Sequence, residues 1–171
     1  MAEGDITIPS LQLALSLTGS YAKQVDIDTA VKTISISKSL SLTNGQGDNQ
    51  GDLLWYDSRQ VSSGVPEDLD LAGSLSDLYG QTLTLVELVM LIIHNKSTTA
   101  AEQLQIGGDA NAVPIFGATA DYLLLGAGGF LVYTAPYDGT ITVTAGTGDI
   151  LQVAAASGTI DYDIVVVGRS A

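Results

Sequence analysis

The chain is 171 residues long, 46% hydrophobic and only 15% charged, and it carries 19 acids against 6 bases for a net charge of −13. One domain, or one domain with an arm, accounts for that length, and a domain of this size buries about 70% of its unfolded surface without staples. The absence of cysteine excludes disulfides, and the acidity opposes binding to phosphate backbones or anionic membranes.

Soluble domains average about 25% charged residues. The surface here is therefore covered by Ser, Thr, Gly, Asn and Gln, or part of it is hidden against other subunits. The second is expected for at least one face, since large exposed apolar patches mark interfaces.

Met1–Pro9 reads as a lead-in, with acids where a secretory leader would carry bases. Leu11, Leu13, Leu15 and Leu17 alternate with polar or small residues, which predicts a strand that Gly19-Ser20 breaks. Ile34, Ile36, Lys38, Leu40 and Leu42 alternate with Thr33, Ser35, Ser37, Ser39 and Ser41, a half-buried strand with a hydroxyl-covered side. Lys38 interrupts the apolar face, which suits an edge or a bulge.

Asn44–Asp52 (NGQGDNQGD) is all turn formers, either a hairpin tip or a hinge between an arm (1–43) and a body (44–171). Leu53–Tyr56 resumes a strand and carries the only tryptophan, Trp55. In Glu67–Leu71, Leu69 and Leu71 point in while Asp68 and Asp70 point out. Ser74–Tyr79 suggests one helical turn with Ser74 as N-cap and Asp77 at the third position.

Leu83–Ile93 is the best core candidate: a central strand with Leu83, Leu85, Val89, Leu91 and Ile93 on one face and Val86, Leu88, Met90 and Ile92 on the other, apolar except at Glu87. A buried helix is the competing reading, and the run is too short to span a membrane. From Gln103 to Ala171 there is no Lys, His, Cys or Glu, and one arginine, Arg169. That stretch is a series of short apolar runs cut by Gly and Asx turns. In the last run Ile160, Tyr162, Ile164 and Val166 oppose Asp161, Asp163, Val165 and Val167. The expected fold is all-β: an antiparallel β-sandwich or jelly-roll-like body with an N-terminal arm or extra strands.

Catalytic patterns are missing. His94 is the only histidine and reads as a strand-end residue; G-x-S-x-G does not occur. The acids recur as i, i+2 pairs, Asp26/Asp28, Asp68/Asp70 and Asp161/Asp163, which project from one face of a strand. A solvated face is the plain reading. Calcium, helped by Asp48 and Asp52, is the sharper one, without EF-hand spacing. A carboxylate pair for glycoside hydrolysis is a third. The glycine clusters lack the spacing of phosphate cradles. No catalytic residue, cofactor, metal or small-molecule substrate is expected.

Four segments resemble, in this order, blocks of small virion structural proteins of tailed bacteriophages: LTNGQGDNQGDLLWYDSR (Leu42–Arg59), EDLDLAGSLSDLYGQTLTL (Glu67–Leu85), IIHNKSTTAAEQLQIGG (Ile92–Gly108) and ITVTAGTGDILQVAAASGTIDYDIVVVG (Ile141–Gly168). The resemblance implies a β-sandwich virion component, first a capsid decoration (cement) protein, second a neck or tail component. It implies no enzymatic activity. It implies a homo-oligomer, a trimer by preference, that binds the major capsid protein on the capsid surface and bridges its subunits. It does not cover residues 1–41. There the Leu11–Leu17 segment is expected to pair with a neighbour's sheet, so Leu11, Leu13, Leu15, Leu17 and Trp55 are the candidate interface residues. A carbohydrate-binding sandwich using Trp55 and the tyrosines is the alternative.

Overall fold

The computed structural model describes residues 7–170. Ten antiparallel strands and no helix occur among them: β1 (Leu11–Val25), β2 (Asp28–Leu42), β3 (Leu53–Ser62), β4 (Glu67–Asp70), β5 (Glu87–Asn95), β6 (Leu104–Gly107), β7 (Tyr122–Leu125), β8 (Phe130–Thr134), β9 (Ile150–Ala155) and β10 (Thr159–Arg169). β1 and β2 form a sheet of their own. The other eight form two four-stranded sheets, β3-β10-β5-β8 and β4-β9-β6-β7. β3 pairs β10, β4 pairs β9, β5 pairs β8 and β6 pairs β7. That is one long hairpin wound into a double-sheet jelly roll.

Apolar residues at alternate strand positions fill the space between the sheets. Trp55, Leu91, Ile93, Ile160, Tyr162, Ile164 and Val166 come from the first sheet, and Leu69, Leu104, Ile106, Leu151 and Val153 from the second. The alternation expected along 160–167 and along 67–71 therefore holds: Ile160, Tyr162, Ile164, Val166 and Leu69 are buried, and Leu71 is buried at the end of β4. Trp55, expected at an interface, is 4% exposed and belongs to this core. The Arg59 guanidinium lies over its ring, 5.8 Å from the centroid.

Three local expectations fail for physical reasons. Gly19-Ser20 does not break a strand: Gly19 pairs with Ile34 and Ser20 with Thr33, and the chain turns at Asp26-Ile27 instead. The ladder on both sides of the glycine carries it through. Ser74–Tyr79 forms no helical turn; Asp77 Oδ1 accepts hydrogen bonds from the Tyr79 and Gln81 amides, an Asx turn that competes with helix. The Leu83–Ile93 run enters strand only at Glu87, and its alternation is broken. Val167 pairs with Met90 but Gly168 with Leu88, so Val89 is an extra residue in a β-bulge. Leu88 therefore joins Leu91 and Ile93 between the sheets, while Val89 joins Met90 on the outer face.

The bulge requires Gly168. A Cβ there would stand 2.5 Å from the Glu87 carbonyl oxygen and closer still to the Leu85 side chain. At the opposite end of the sandwich a polar clip joins the sheets. Glu67 on β4 accepts from Arg59 Nε (2.8 Å) and Nη2 on β3 and from the Tyr162 hydroxyl on β10 (2.6 Å). Burial pushes the Glu67 carboxyl up, but the Arg59 and Tyr162 hydrogen bonds outweigh it and hold it below its ordinary value. Burial, reinforced by the hydrogen bond to Glu67, pushes the Tyr162 phenol up.

Gly168→Ala should cost about 1–3 kcal/mol of stability through overpacking against backbone; an unchanged urea midpoint would contradict the close approach. Because the folded Glu67 value is depressed, its contribution is present above the ordinary carboxylate range and lost as pH falls through the folded value. Glu67→Gln should therefore cost about 1–2 kcal/mol at neutral pH, with the gap to the parent narrowing below about pH 4. Urea titrations at both pH values check this, and a pH-independent gap would count against the clip.

Candidate functional site

The β1–β2 hairpin is the feature the body does not use. Each strand is 15 residues long, so the hairpin spans about 50 Å. In its register Leu11, Leu13, Leu15, Leu17, Gly19, Tyr21, Lys23 and Val25 lie directly opposite Leu42, Leu40, Lys38, Ile36, Ile34, Lys32, Ala30 and Asp28. Directly opposed residues share a face. One face is therefore apolar with three lysines and, at its tip, Asp28; the other is mostly hydroxyl and amide, Gln12, Ser16, Thr18, Ser20 and Gln24 opposite Ser41, Ser37, Ser35, Thr33 and Thr29, with Ala14 and the opposed pair Ala22 and Val31 among them.

The base of the apolar face is seated. Leu11, Leu13, Leu40 and Leu42 pack with Ile8, Leu54, Val89, Met90, Ile92, Val165 and Val167, which belong to the lead-in and the outer face of the β3-β10-β5-β8 sheet. Beyond the base nothing covers the hairpin: Leu15 is 49% exposed, Leu17 60%, Ile34 43% and Ile36 52%. Tyr21, Val25 and Val31 are also exposed. Of the expected interface residues, then, Leu15 and Leu17 stand free, Leu11 and Leu13 are half-buried at the base, and Trp55 is inside the body. Lys38 lies opposite Leu15 in an unbroken ladder, with no bulge.

The hinge below the arm is held by a buried charge pair that the residue pattern announced only as two exceptions. Arg169 is fully buried. Its Nη1 meets Glu87 Oε2, its Nη2 donates to the Pro136 carbonyl (2.7 Å) and its Nε donates to the Gln50 carbonyl (3.2 Å). Glu87 Oε1 accepts from the Gly139 amide at 2.8 Å. Gln50 lies in the 44–52 loop, so Arg169 fastens the arm's root to β5, β10 and the loop after β8. That loop is the hinge of the two readings, and not a hairpin tip. The signals were a lone base in a stretch whose other charges are all aspartates, and a lone acid in an apolar run.

A further group of titratable side chains lies on the surface of the body. Ser58, Asp163, His94 and Lys96 meet on the exposed outer face of the first sheet. Asp163 lies between the other three: Ser58 Oγ donates to its carboxylate (2.5 Å) and His94 Nδ1 is 3.9 Å from it. The hydroxyl is thus held by an acid and not by an imidazole, the reverse of the order that activates a nucleophile. The Ser58 and Lys96 hydrogen bonds hold the Asp163 carboxyl below its ordinary value.

The other acids are likewise occupied. Asp161 accepts from Gln60, Asp68 from Gln152 and Asp70 from the Ala72 amide. Asp26 sits in the arm's turn and Asp28 begins β2, so that pair shares no strand face. Asp52 accepts from Gln46 and from the Ser170 amide and hydroxyl, and Asp48 from the Asp138 amide. Among the described residues no three His, Asp or Glu side chains converge on a point that could hold a metal ion. A cleft of about 540 Å3 between the hinge loop and residues 81–83 is lined mainly by Asn44, Gln46, Asp52, Asp77 and Gln81. No family model and no curated protein matches the chain.

Arg169→Met should destabilise the protein by about 3–5 kcal/mol, because it leaves the Glu87 charge buried without a partner. Adding Glu87→Gln should return part of that loss. A double-mutant cycle in urea measures the coupling, and additive losses would mean that the two side chains do not act as a pair.

Proposed function

We propose that this chain is a non-enzymatic virion structural protein, in first place a capsid decoration protein that binds the outer surface of a phage head and bridges its subunits. The observation that carries this reading is the hairpin arm, about 50 Å long, whose apolar face runs past the body with nothing of its own chain over it. An exposed apolar surface of that extent is an interaction surface. The order of the four sequence blocks supports the particle setting, and a jelly roll is a fold that virion proteins use, although fold by itself does not assign function.

Two rival readings have less behind them. A carbohydrate-binding module built on Trp55 and the tyrosines loses Trp55 to the core and keeps exposed tyrosines such as Tyr56, Tyr79 and Tyr137. A hydrolase would need paired, free carboxylates facing a cleft, whereas the acids of the strands are tied to Gln, Ser and Lys side chains.

The proposal is tested by co-sedimentation of the purified chain with heads and, separately, tails of the parent particle. Heads should retain it. Removing residues 16–37 and joining Leu15 to Lys38 through an Asn-Gly turn keeps the seated base and deletes the free face. That variant should fold and bind roughly tenfold or more weakly. Retention on tails alone would move the protein to the neck or tail, and binding to neither would sink the virion reading.

A further inference from the structure

We propose that the free face of the hairpin arm docks on the outer face of the β3-β10-β5-β8 sheet of a second copy of this chain, and that copies assemble by exchanging arms. The claim goes beyond particle binding, because it names the occupant of the arm and the surface that receives it.

The contact already exists once within the chain. The base of the arm's apolar face is seated on the row Leu54, Val167 and Met90 of that outer face. The next row across the same face is Tyr56, Val165, Ile92 and Val132, followed by Phe130 beside His94. Tyr56 and Phe130 are exposed, and Val165, Ile92 and Val132 are half-buried. Ile92 and Val165 already touch the arm's base, and beyond them the outer face stays open at Tyr56 and Phe130. The arm is the complement: the same face that is seated at Leu13 and Leu40 continues outward as Leu15, Leu17, Ile34 and Ile36.

Charge selects the same partner. Lys23, Lys32 and Lys38 are three of the chain's six basic residues, and the register puts all three on the apolar face and none on the hydroxyl face. Residues 44–171 carry fifteen acids against three bases. On the receiving face Asp161 and Asp163 follow the apolar rows, as Lys32 and Lys23 follow the apolar part of the arm. An apolar stripe carrying three lysines therefore meets the face of a strongly acidic body, where Asp161 is bonded to Gln60 and Asp163 to Ser58 and Lys96.

The area suffices. The free face, eleven residues long on β1 from Leu15 to Val25, measures about 36 Å by 10 Å. Two arms exchanged reciprocally would remove about 1,400 Å2 counting both partners, within the range of stable interfaces. Exchange of an identical element closes into a ring or a two-fold dimer without any new surface.

The test uses purified protein with no particle present. Sedimentation velocity of the full chain near 10 μM, about tenfold above a micromolar Kd, should show an oligomer that weakens as salt rises. The arm-shortened variant described above keeps the receiving face. Tyr56→Glu with Phe130→Glu keeps the arm and spoils the receiving face. Each alone should sediment as a monomer, and the mixture should form a 1:1 heterodimer. A monomeric parent chain overturns the proposal, and so does an oligomeric parent whose two variants fail to pair on mixing. Neither outcome bears on co-sedimentation with heads, and loss of head binding would leave arm exchange standing.

Discussion

The buried Arg169–Glu87 pair is the constraint on which the architecture turns. A guanidinium taken out of water is costly unless every donor direction is met. Here each of its three nitrogens has a partner, a carboxylate or one of two backbone carbonyls from loops far apart in sequence. Satisfying Arg169 therefore fixes four things together: the end of β10, the start of β5, the loop after β8 and the hinge loop at Gln50. Among the described residues no buried side-chain nitrogen or oxygen is left unpaired. The arrangement pins the root of the arm to the most deeply buried strands of the body, so the arm leaves the sandwich in a set direction and not as a loose tail.

The bulge beside this pair decides which surface the arm meets. Arg169 pairs with Glu87 and Gly168 with Leu88, and the register then slips by one residue at Val89. A one-residue slip moves every later side chain to the other face. As a result Leu88 enters the inter-sheet core while Val89 and Met90 both face outward, widening the apolar patch that seats Leu11, Leu13, Leu40 and Leu42. Without the slip Val89 would lie between the sheets and Leu88 would stand outside in its place. The glycine, the bulge and the second hydrophobic cluster are one device.

Period-two alternation made the strands legible. Residues 160–167 and 67–71 show their inner and outer faces directly, and Leu11–Leu17 and Ile34–Leu42 show a face of leucine and isoleucine against a face of serine. What alternation could not convey was register. That Lys23, Lys32 and Lys38 share a face emerges only when Leu11 is set opposite Leu42, and that in turn depends on the chain running through Gly19 to turn at Asp26-Ile27. Trp55 misled for a related reason: on β3 it alternates with Leu54 and Tyr56, and only the pairing with Val166 tells which side is inside. The Arg169–Glu87 pair left a trace, since each is the lone charge in an apolar run. Two such exceptions in a chain with few charges are an argument for contact between them, and that step was open to the sequence reader.

A hairpin of two strands has no sheet to lean on, and in water such units are marginal at best. The arm escapes this in part through its seated base and its full ladder of fifteen paired positions. Beyond the base it still exposes a row of branched apolar side chains on one face while the other is finished in hydroxyls. If the whole arm were built for solvent, selection for solubility would place charge on both faces, as edge strands do. Instead every lysine of the arm lies on the apolar face, where a long apolar stem can lie along a partner and its ammonium can reach a carboxylate at the rim. The hydroxyl face needs nothing more than water. The apolar face needs a surface that is itself apolar at the centre and acidic at the edge, and the outer sheet of this protein's own body has that composition.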